Sequence, residues 1–233
     1  MQYLGGKSKI RKEIASVIRD YREKDQTYVE PFVGGAWVLQ EIDGRREASD
    51  GNPYLITMYQ ELQKGWEPPS FISESLYHQY RISPKIDDPL TAFIGFGCSF
   101  AGKWFGGYAR SSGKPCYAGT TKRSLEKQLP YIKDVSFSHT LFQDISKKDS
   151  IIYCDPPYID TTPYGYFSSF PHEEFWNKVR SWVAEGNTCL ISEYQAPNDF
   201  VCVREMVSQM GMTVENSRQK RIEKLFIHHT QVL

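Results

Sequence analysis

Ile151-Ile152-Tyr153-Cys154-Asp155-Pro156-Pro157-Tyr158 is an apolar, β-prone run that stops at a carboxylate and two prolines. Such a run reads as a buried strand delivering an acid to the rim of a sheet. Each proline fixes φ and lacks an N–H, so the strand ends there and the next turn is held extended. One carboxylate, two backbone carbonyls and an aromatic ring are thereby presented together. The set suits a flat, amino-bearing heterocycle, with acceptors for the amino hydrogens and a ring to stack on its face. The plainer reading is a strand-to-loop turn with a solvated acid, so the motif needs its surroundings to count.

Those surroundings alternate strand and helix. Apolar Ile10, Ile14, Val17, Ile18 and Tyr21 have the spacing of an amphipathic helix over 9–21. Next come a strand from 27, a glycine turn at Gly34-Gly35, and a helix expected from about 36 to 42. A short strand over 47–50 ends at Asp50, and Asn52-Pro53 opens a helix with the face Leu55, Ile56, Met58, Tyr59 and Leu62. Strand, helix and strand, with an acid closing the second strand, is the pattern of a nucleotide-binding βαβ unit. Prolines and clustered glycines break the pattern between 68 and 130, leaving short helices near 73–80 and 89–96 among long loops. Alternation resumes with strands at 139–142, 151–154 and 188–193 and a helix over 172–184. Residues 213–228 read as two strands of a closing hairpin. The expected division is a catalytic domain of residues 1–67 and 134–233, with 68–133 inserted.

The 233 residues suffice for one α/β domain with a modest insertion. No apolar run approaches the ~20 residues of a membrane span, and the first residues lack a signal-peptide core, so a cytoplasmic location is the expectation. Five scattered cysteines form no Cys-x-x-Cys pair, which speaks against a metal site. Net charge is +0, unlike the basic excess usual in nucleic-acid binders. The charge is uneven, however. From 101 to 133 the chain carries Lys103, Arg110, Lys114, Lys122, Arg123, Lys127 and Lys133 against Glu126 alone.

Three further stretches should converge on Asp155. In Glu30-Pro31-Phe32-Val33-Gly34-Gly35, glycines between strand and helix let the backbone approach a ligand. The G-x-G-x-x-G spacing of dinucleotide sites is absent. Asp50, ending the next strand, is placed to hold ribose hydroxyls, or else to cap the helix after it. Tyr3-Leu4-Gly5-Gly6-Lys7 offers backbone donors and a cation suited to a carboxylate, without the length of a phosphate-binding P-loop. Together they describe a site for an adenosyl amino acid beside a planar amine.

With these pieces in this order, the chain resembles the D12 class (Dam-type) of adenine-specific DNA methyltransferases. Tyr3-Leu4-Gly5-Gly6-Lys7, Glu30 to Gly35, Asp50-Gly51-Asn52-Pro53 and Asp155-Pro156-Pro157-Tyr158 carry the likeness, and the stretch from Arg221 through Glu223 to Ile227 resembles the closing strand. The resemblance implies a Rossmann-like methyltransferase fold with a mixed sheet, a C-terminal β-hairpin and a small inserted DNA-recognition region. It implies S-adenosylmethionine as cofactor, contacted by Tyr3, Lys7, Glu30, Phe32, Gly34, Asp50 and Asp155. Asp155, Pro156, Pro157 and Tyr158 would then form the catalytic motif around a flipped adenine. Phe167, or equally Tyr164 or Tyr166, would brace the base.

The insertion is the expected reader of double-stranded DNA. Its stretch 97–110 mixes aromatics, glycines and cations, as a wedge at a flipped base would, with Lys103, Trp104, Arg110, Lys122 and Arg123 as DNA contacts. A glycine-rich surface loop is the plain alternative. A cognate restriction endonuclease is a further partner of the kind the resemblance suggests. The competing functions are N4-cytosine methylation, methylation of an RNA base or a glutamine side chain, and a cofactor-binding DNA-recognition module without catalysis.

Overall fold

Along the strand that carries Ile151 to Cys154, alternate residues enter two different apolar clusters. Ile151 and Tyr153 join one with Ile14, Tyr28, Leu190 and Ile227, while Ile152 and Cys154 join another with Val29, Trp182, Ile191 and Phe226. A strand buried on both faces needs apolar residues at every position, which is why this run does not alternate with polar ones. The structure is a computed structural model, and it describes residues 1–110, 116–159, 170–209 and 220–233.

Seven strands form the sheet: β1 (Thr27–Glu30), β2 (Arg46–Asp50), β3 (Ser136–His139), β4 (Ser150–Cys154), β5 (Thr188–Glu193), β6 (Phe200–Gln209) and β7 (Lys220–His228). Their order is β3-β2-β1-β4-β5-β7-β6. The first five run parallel, and β7 enters antiparallel between β5 and β6. The order reverses between β1 and β4. In such sheets a crevice opens there, at the carboxyl ends of the strands. Glu30 and Asp155 both sit at that crevice.

On the face of the first cluster lie α1 (Arg11–Tyr21), α2 (Pro53–Gln63), α3 (Glu74–Ile82), α4 (Leu90–Ala92, running into a π-turn at Phe93–Gly97) and α5 (Ala118–Ile132). The other face is covered by α6 (His172–Ala184), through Phe175, Trp176, Val179 and Trp182. The Asn52 side chain caps α2 by accepting from the Leu55 N–H at 3.3 Å, with Pro53 in the first turn. Asp50 is therefore not the cap.

Four expectations change. No α-helix forms over 36–42. Gly34 and Ala36 take left-handed φ of 45° and 54°, and only a 3₁₀ turn at Leu39–Glu41 fits before β2. The strand expected at 139–142 lies at Ser136–His139, where Phe137 faces the core, and Phe142 belongs to a separate 3₁₀ turn. The hairpin's first strand is Phe200–Gln209, upstream of 213, because Phe200 and Met206 are buried on it; residues 210–219 lie outside the described ones.

The fourth change is α5, fifteen residues long where long loops were expected. Thr121, Leu125, Gln128 and Ile132 are its buried face at helical spacing, and Pro130 sits inside the helix. Gln128 donates to the Gly35 and Ala36 carbonyls at 3.0 and 2.9 Å, so α5 braces the turn after β1. Tyr77, Phe93, Leu125 and Ile132 share one apolar cluster with Ile14 and Tyr28, so much of 68–133 is built into the main core.

Candidate active site

A cavity of about 380 Å³ opens at the crevice, within the ~300–1,000 Å³ range of small-molecule pockets. Its wall is drawn from the N-terminal segment (Tyr3 to Lys7), the turn after β1 (Glu30 to Gly35), the end of β2 (Asp50 to Asn52) and the end of β4 (Asp155 to Tyr158). The four stretches singled out in the sequence, some 150 residues apart at their extremes, thus line one space.

Lys7 sits at the base of this wall. Its ammonium lies 2.7 Å from Asp155 Oδ1 and 3.4 Å from Glu223 Oε1, donates to the Gly5 carbonyl at 3.1 Å, and stands 4.7 Å above the Tyr158 ring. Burial alone would lower its pKa, but the two carboxylates outweigh burial and raise it, so Lys7 stays charged. The sequence suggested Lys7 for a ligand carboxylate; in the structure its partners are carboxylates of the chain itself.

Asp155 is pushed up by burial, with Lys7 pulling the other way. Its Oδ2 takes no hydrogen bond from a described residue. Glu223, on β7, is raised to about 7 by burial against the pull of Lys7, and its Oε1 also accepts from the Tyr158 hydroxyl. Glu193, ending β5, is raised to about 7 by burial although it accepts from the Tyr194 and Ile159 N–H groups. Tyr158 is nearly buried and meets Tyr194 edge-on with centroids 4.8 Å apart.

On the far side, Glu30 accepts from the Tyr28 hydroxyl at 2.6 Å, and burial drives it well above the ordinary range. Asp50 accepts from the Gly34 and Asn52 N–H groups at 3.0 and 2.9 Å. Burial still raises it, to about 6. Gly34 carries a φ of +45°, and a Cβ there would lie 2.9 Å from the Tyr3 ring. Gly102, with φ +68°, brings the 97–110 stretch against the N-terminus, where a Cβ would meet the Tyr3 backbone nitrogen at 2.7 Å. Phe32 leans into an aromatic group with Phe142, Phe170 and Phe175.

The residues expected to touch DNA are distributed differently. Trp104 lines the cavity and packs on Tyr54, Phe96 and Phe105 at 4.7–5.4 Å, so it is a wall residue and not a free wedge. The aromatic that stands out is Phe100, 71% exposed. Lys103 is exposed at the cavity mouth. Arg110 is held by Glu74 at 2.5 Å, Lys122 lies near Glu67 and Glu126, and Arg123 donates to Thr120. Lys114, Tyr164, Tyr166 and Phe167 lie outside the described residues.

The sequence reading missed residues in and around the cavity. Glu193 could have been found, since it ends an apolar strand as Asp50 and Asp155 do. Gln143 lines the cavity with a buried Oε1 that has no partner among the described residues. Nothing local marks Gln143, or the role of Glu223, because both depend on which strands lie side by side.

Five parallel strands with an antiparallel β7 inserted before β6, and a pocket at the switch point between β1 and β4, define a Rossmann-like methyltransferase fold. Residues 3–86 match the model of the D12 class N6 adenine-specific DNA methyltransferase family. No curated protein matches the chain. Among solved structures, it resembles precorrin 8w decarboxylase from Methanobacterium thermoautotrophicum (TM-score 0.42, 11% identity, 93% of this chain and 89% of that one). It also resembles an rRNA methylase from Streptococcus thermophilus (TM-score 0.40, 8% identity, 93% and 94%). A third is the magnesium protoporphyrin IX methyltransferase ChlM from Synechocystis PCC 6803 with bound SAM (TM-score 0.40, 10% identity, 95% and 79%). The family match covers three of the four stretches that line the cavity.

Proposed function

We propose that this protein transfers a methyl group from S-adenosylmethionine to N6 of an adenine turned out of double-stranded DNA. The observation that carries the reading is Asp155. It ends β4 in the same cavity as Glu30, Gly34 and Asp50, with one carboxylate oxygen held by Lys7 and the other unbonded among the described residues. The D12 match supports the choice of DNA adenine.

The cavity fits the cofactor. Its acidic wall of Glu30, Asp50 and Asp155 suits a sulfonium cation and ribose hydroxyls. The glycine turn at Gly34 admits close approach over Tyr3, and Gln143 Oε1, without a partner among the described residues, is an acceptor suited to an adenosine amine. Bound there, S-adenosylmethionine supplies an electrophilic methyl group on a positively charged sulfur.

The rest is work for the chain's own groups. An adenine amine is a poor nucleophile because its lone pair is delocalised into the ring. The Asp155 carboxylate and the Pro156 carbonyl accept its hydrogens and favour a pyramidal nitrogen, and Pro157 stiffens that presentation. As the nitrogen gains positive charge, the carboxylate stabilises it and can take the released proton. Stacking on Tyr158 offsets part of the few kcal/mol needed to extrude the base. Phe100 and Lys103, at the exposed part of 68–133, are the proposed DNA-side contacts, together with Arg110, Lys122 and Arg123 outside the cavity lining.

The test is product analysis. The purified chain is incubated with labelled cofactor and DNA free of methylated bases, and the digested nucleosides are separated by mass spectrometry. N6-methyldeoxyadenosine is expected. N4-methyldeoxycytidine would overturn the substrate, and cofactor binding without any methylated base would favour a non-catalytic module.

A further inference from the structure

The geometry points to Glu223, on the antiparallel strand β7, as the positioning residue that gives the Asp155–Lys7 pair its net negative charge and fixes the Tyr158 ring. This rests on the methyl-transfer reading of the same site. Asp155 with Lys7 alone is a neutral pair. A neutral pair offers little to an amine that becomes cationic during transfer. Glu223 is the second carboxylate on the same ammonium, 3.4 Å from Lys7 Nζ, and ionised it makes the trio net negative. The same oxygen, Oε1, accepts from the Tyr158 hydroxyl, tying the ring proposed to stack on the base to the charge state of the trio.

Glu223 comes from the C-terminal hairpin, Lys7 from the N-terminal segment, and Asp155 and Tyr158 from the end of β4. The other titratable groups turned toward this point are Glu193 on β5, Tyr153 on β4 and Glu30 on β1. Tyr153 is bonded to Ser192 at 2.8 Å and Glu30 to Tyr28, while Glu193 serves two backbone N–H groups. Only Glu223 touches both Lys7 and Tyr158 among them. Burial lifts it to about 7, so its ionisation falls in the range where an enzyme assay can follow it.

Glu223→Gln keeps the shape and an acceptor for Tyr158 but removes the charge. We expect kcat to fall about 10- to 100-fold, with the cofactor KM within about threefold. The acidic limb of the kcat–pH profile should move down by about one unit or more. Glu193→Gln, which removes a carboxyl with the same elevation but no ion pair to Lys7, should keep the limb. A second readout needs no turnover. In protein carrying ¹³C-tyrosine, the Tyr158 signal, assigned by its loss in Tyr158→Phe, should titrate near neutral pH in the wild type and in Glu193→Gln. It should be flat in Glu223→Gln. Wild-type kcat and pH profile in Glu223→Gln, or a Tyr158 titration that persists there, would overturn the proposal. A wild-type chain that methylates nothing would fail the broader reading, and the Tyr158 titration would still decide whether Glu223 governs that ring.

Discussion

At Asp155 one ammonium fixes one carboxylate oxygen, and the proposed reaction uses the second for the substrate amine. Asp155→Asn keeps the shape but removes the charge that both holds Lys7 and meets the developing cation. Turnover should fall by about 10²–10³ and cofactor affinity by much less, with the fold retained because the residue follows a strand and contributes no apolar contact to the core. Steady-state rates beside calorimetric cofactor titration check this, and wild-type turnover in Asp155→Asn would reject the mechanism. Gly34 is constrained differently. Its left-handed φ and the 2.9 Å approach of a would-be Cβ to the Tyr3 ring mean that Gly34→Ala must move either the turn or the ring. Cofactor affinity should drop at least tenfold, roughly 1.4 kcal/mol or more, in the same titration. A silent Gly34→Ala would show that the turn is not part of the cofactor wall.

Among the elements, the stretch 97–110 has two faces. Trp104 and Gly102 close the cavity from inside, while Phe100 and Lys103 are exposed. Lys103→Glu should weaken DNA binding and reduce the salt slope by about one unit for the lost phosphate contact. Phe100→Ala should weaken it with the slope unchanged, since an apolar wedge releases no counterions. Arg110→Ala should do less, as Glu74 already holds that guanidinium. Binding curves across a salt series separate the three, and wild-type curves for both Phe100→Ala and Lys103→Glu would remove this stretch from the DNA interface. α5 illustrates an element whose role lies across the fold. Its Gln128 bonds steady the Gly35–Ala36 turn, so an element about 90 residues away in sequence shapes the cavity wall.

For the whole molecule, the site concentrates buried acids. Asp50 is raised from 3.8 to about 6, and Glu193 and Glu223 from 4.5 to about 7. Each binds its proton more tightly folded than unfolded, so between about pH 4.5 and 7 these three groups hold more protons in the folded state and their contribution to stability falls as pH rises. Lys7, shifted upward, is charged in both states over this window and adds no slope. These three carboxyls should therefore favour pH 5 over pH 8, by up to about 1.4 kcal/mol for Asp50 and about 2.5 kcal/mol for each glutamate, while the Met1 ammonium, lowered from 8.0 to about 5 by burial, works in the opposite direction. Denaturant unfolding of the wild type and of Glu223→Gln at the two values checks this: the variant should lose part of the preference for pH 5. An unchanged pH dependence in Glu223→Gln would mean that this acid is not desolvated. The strands at 27–30, 46–50, 150–154 and 188–193, the glycine turn, the capped helix after Asn52 and the four stretches that meet in the cavity were legible in the sequence. Each depends on local chemistry: apolar periodicity, proline and glycine backbone limits, and acids at strand ends. The helix α5 was hidden by its glycine and proline, since its formation rests on packing Leu125 and Ile132 into the shared core. Only the tertiary structure put Glu223 beside Lys7, because a strand's neighbours are chosen by the pairing of the whole sheet. Insertion of β7 between β5 and β6 brings a residue from the end of the chain to an ammonium near its beginning.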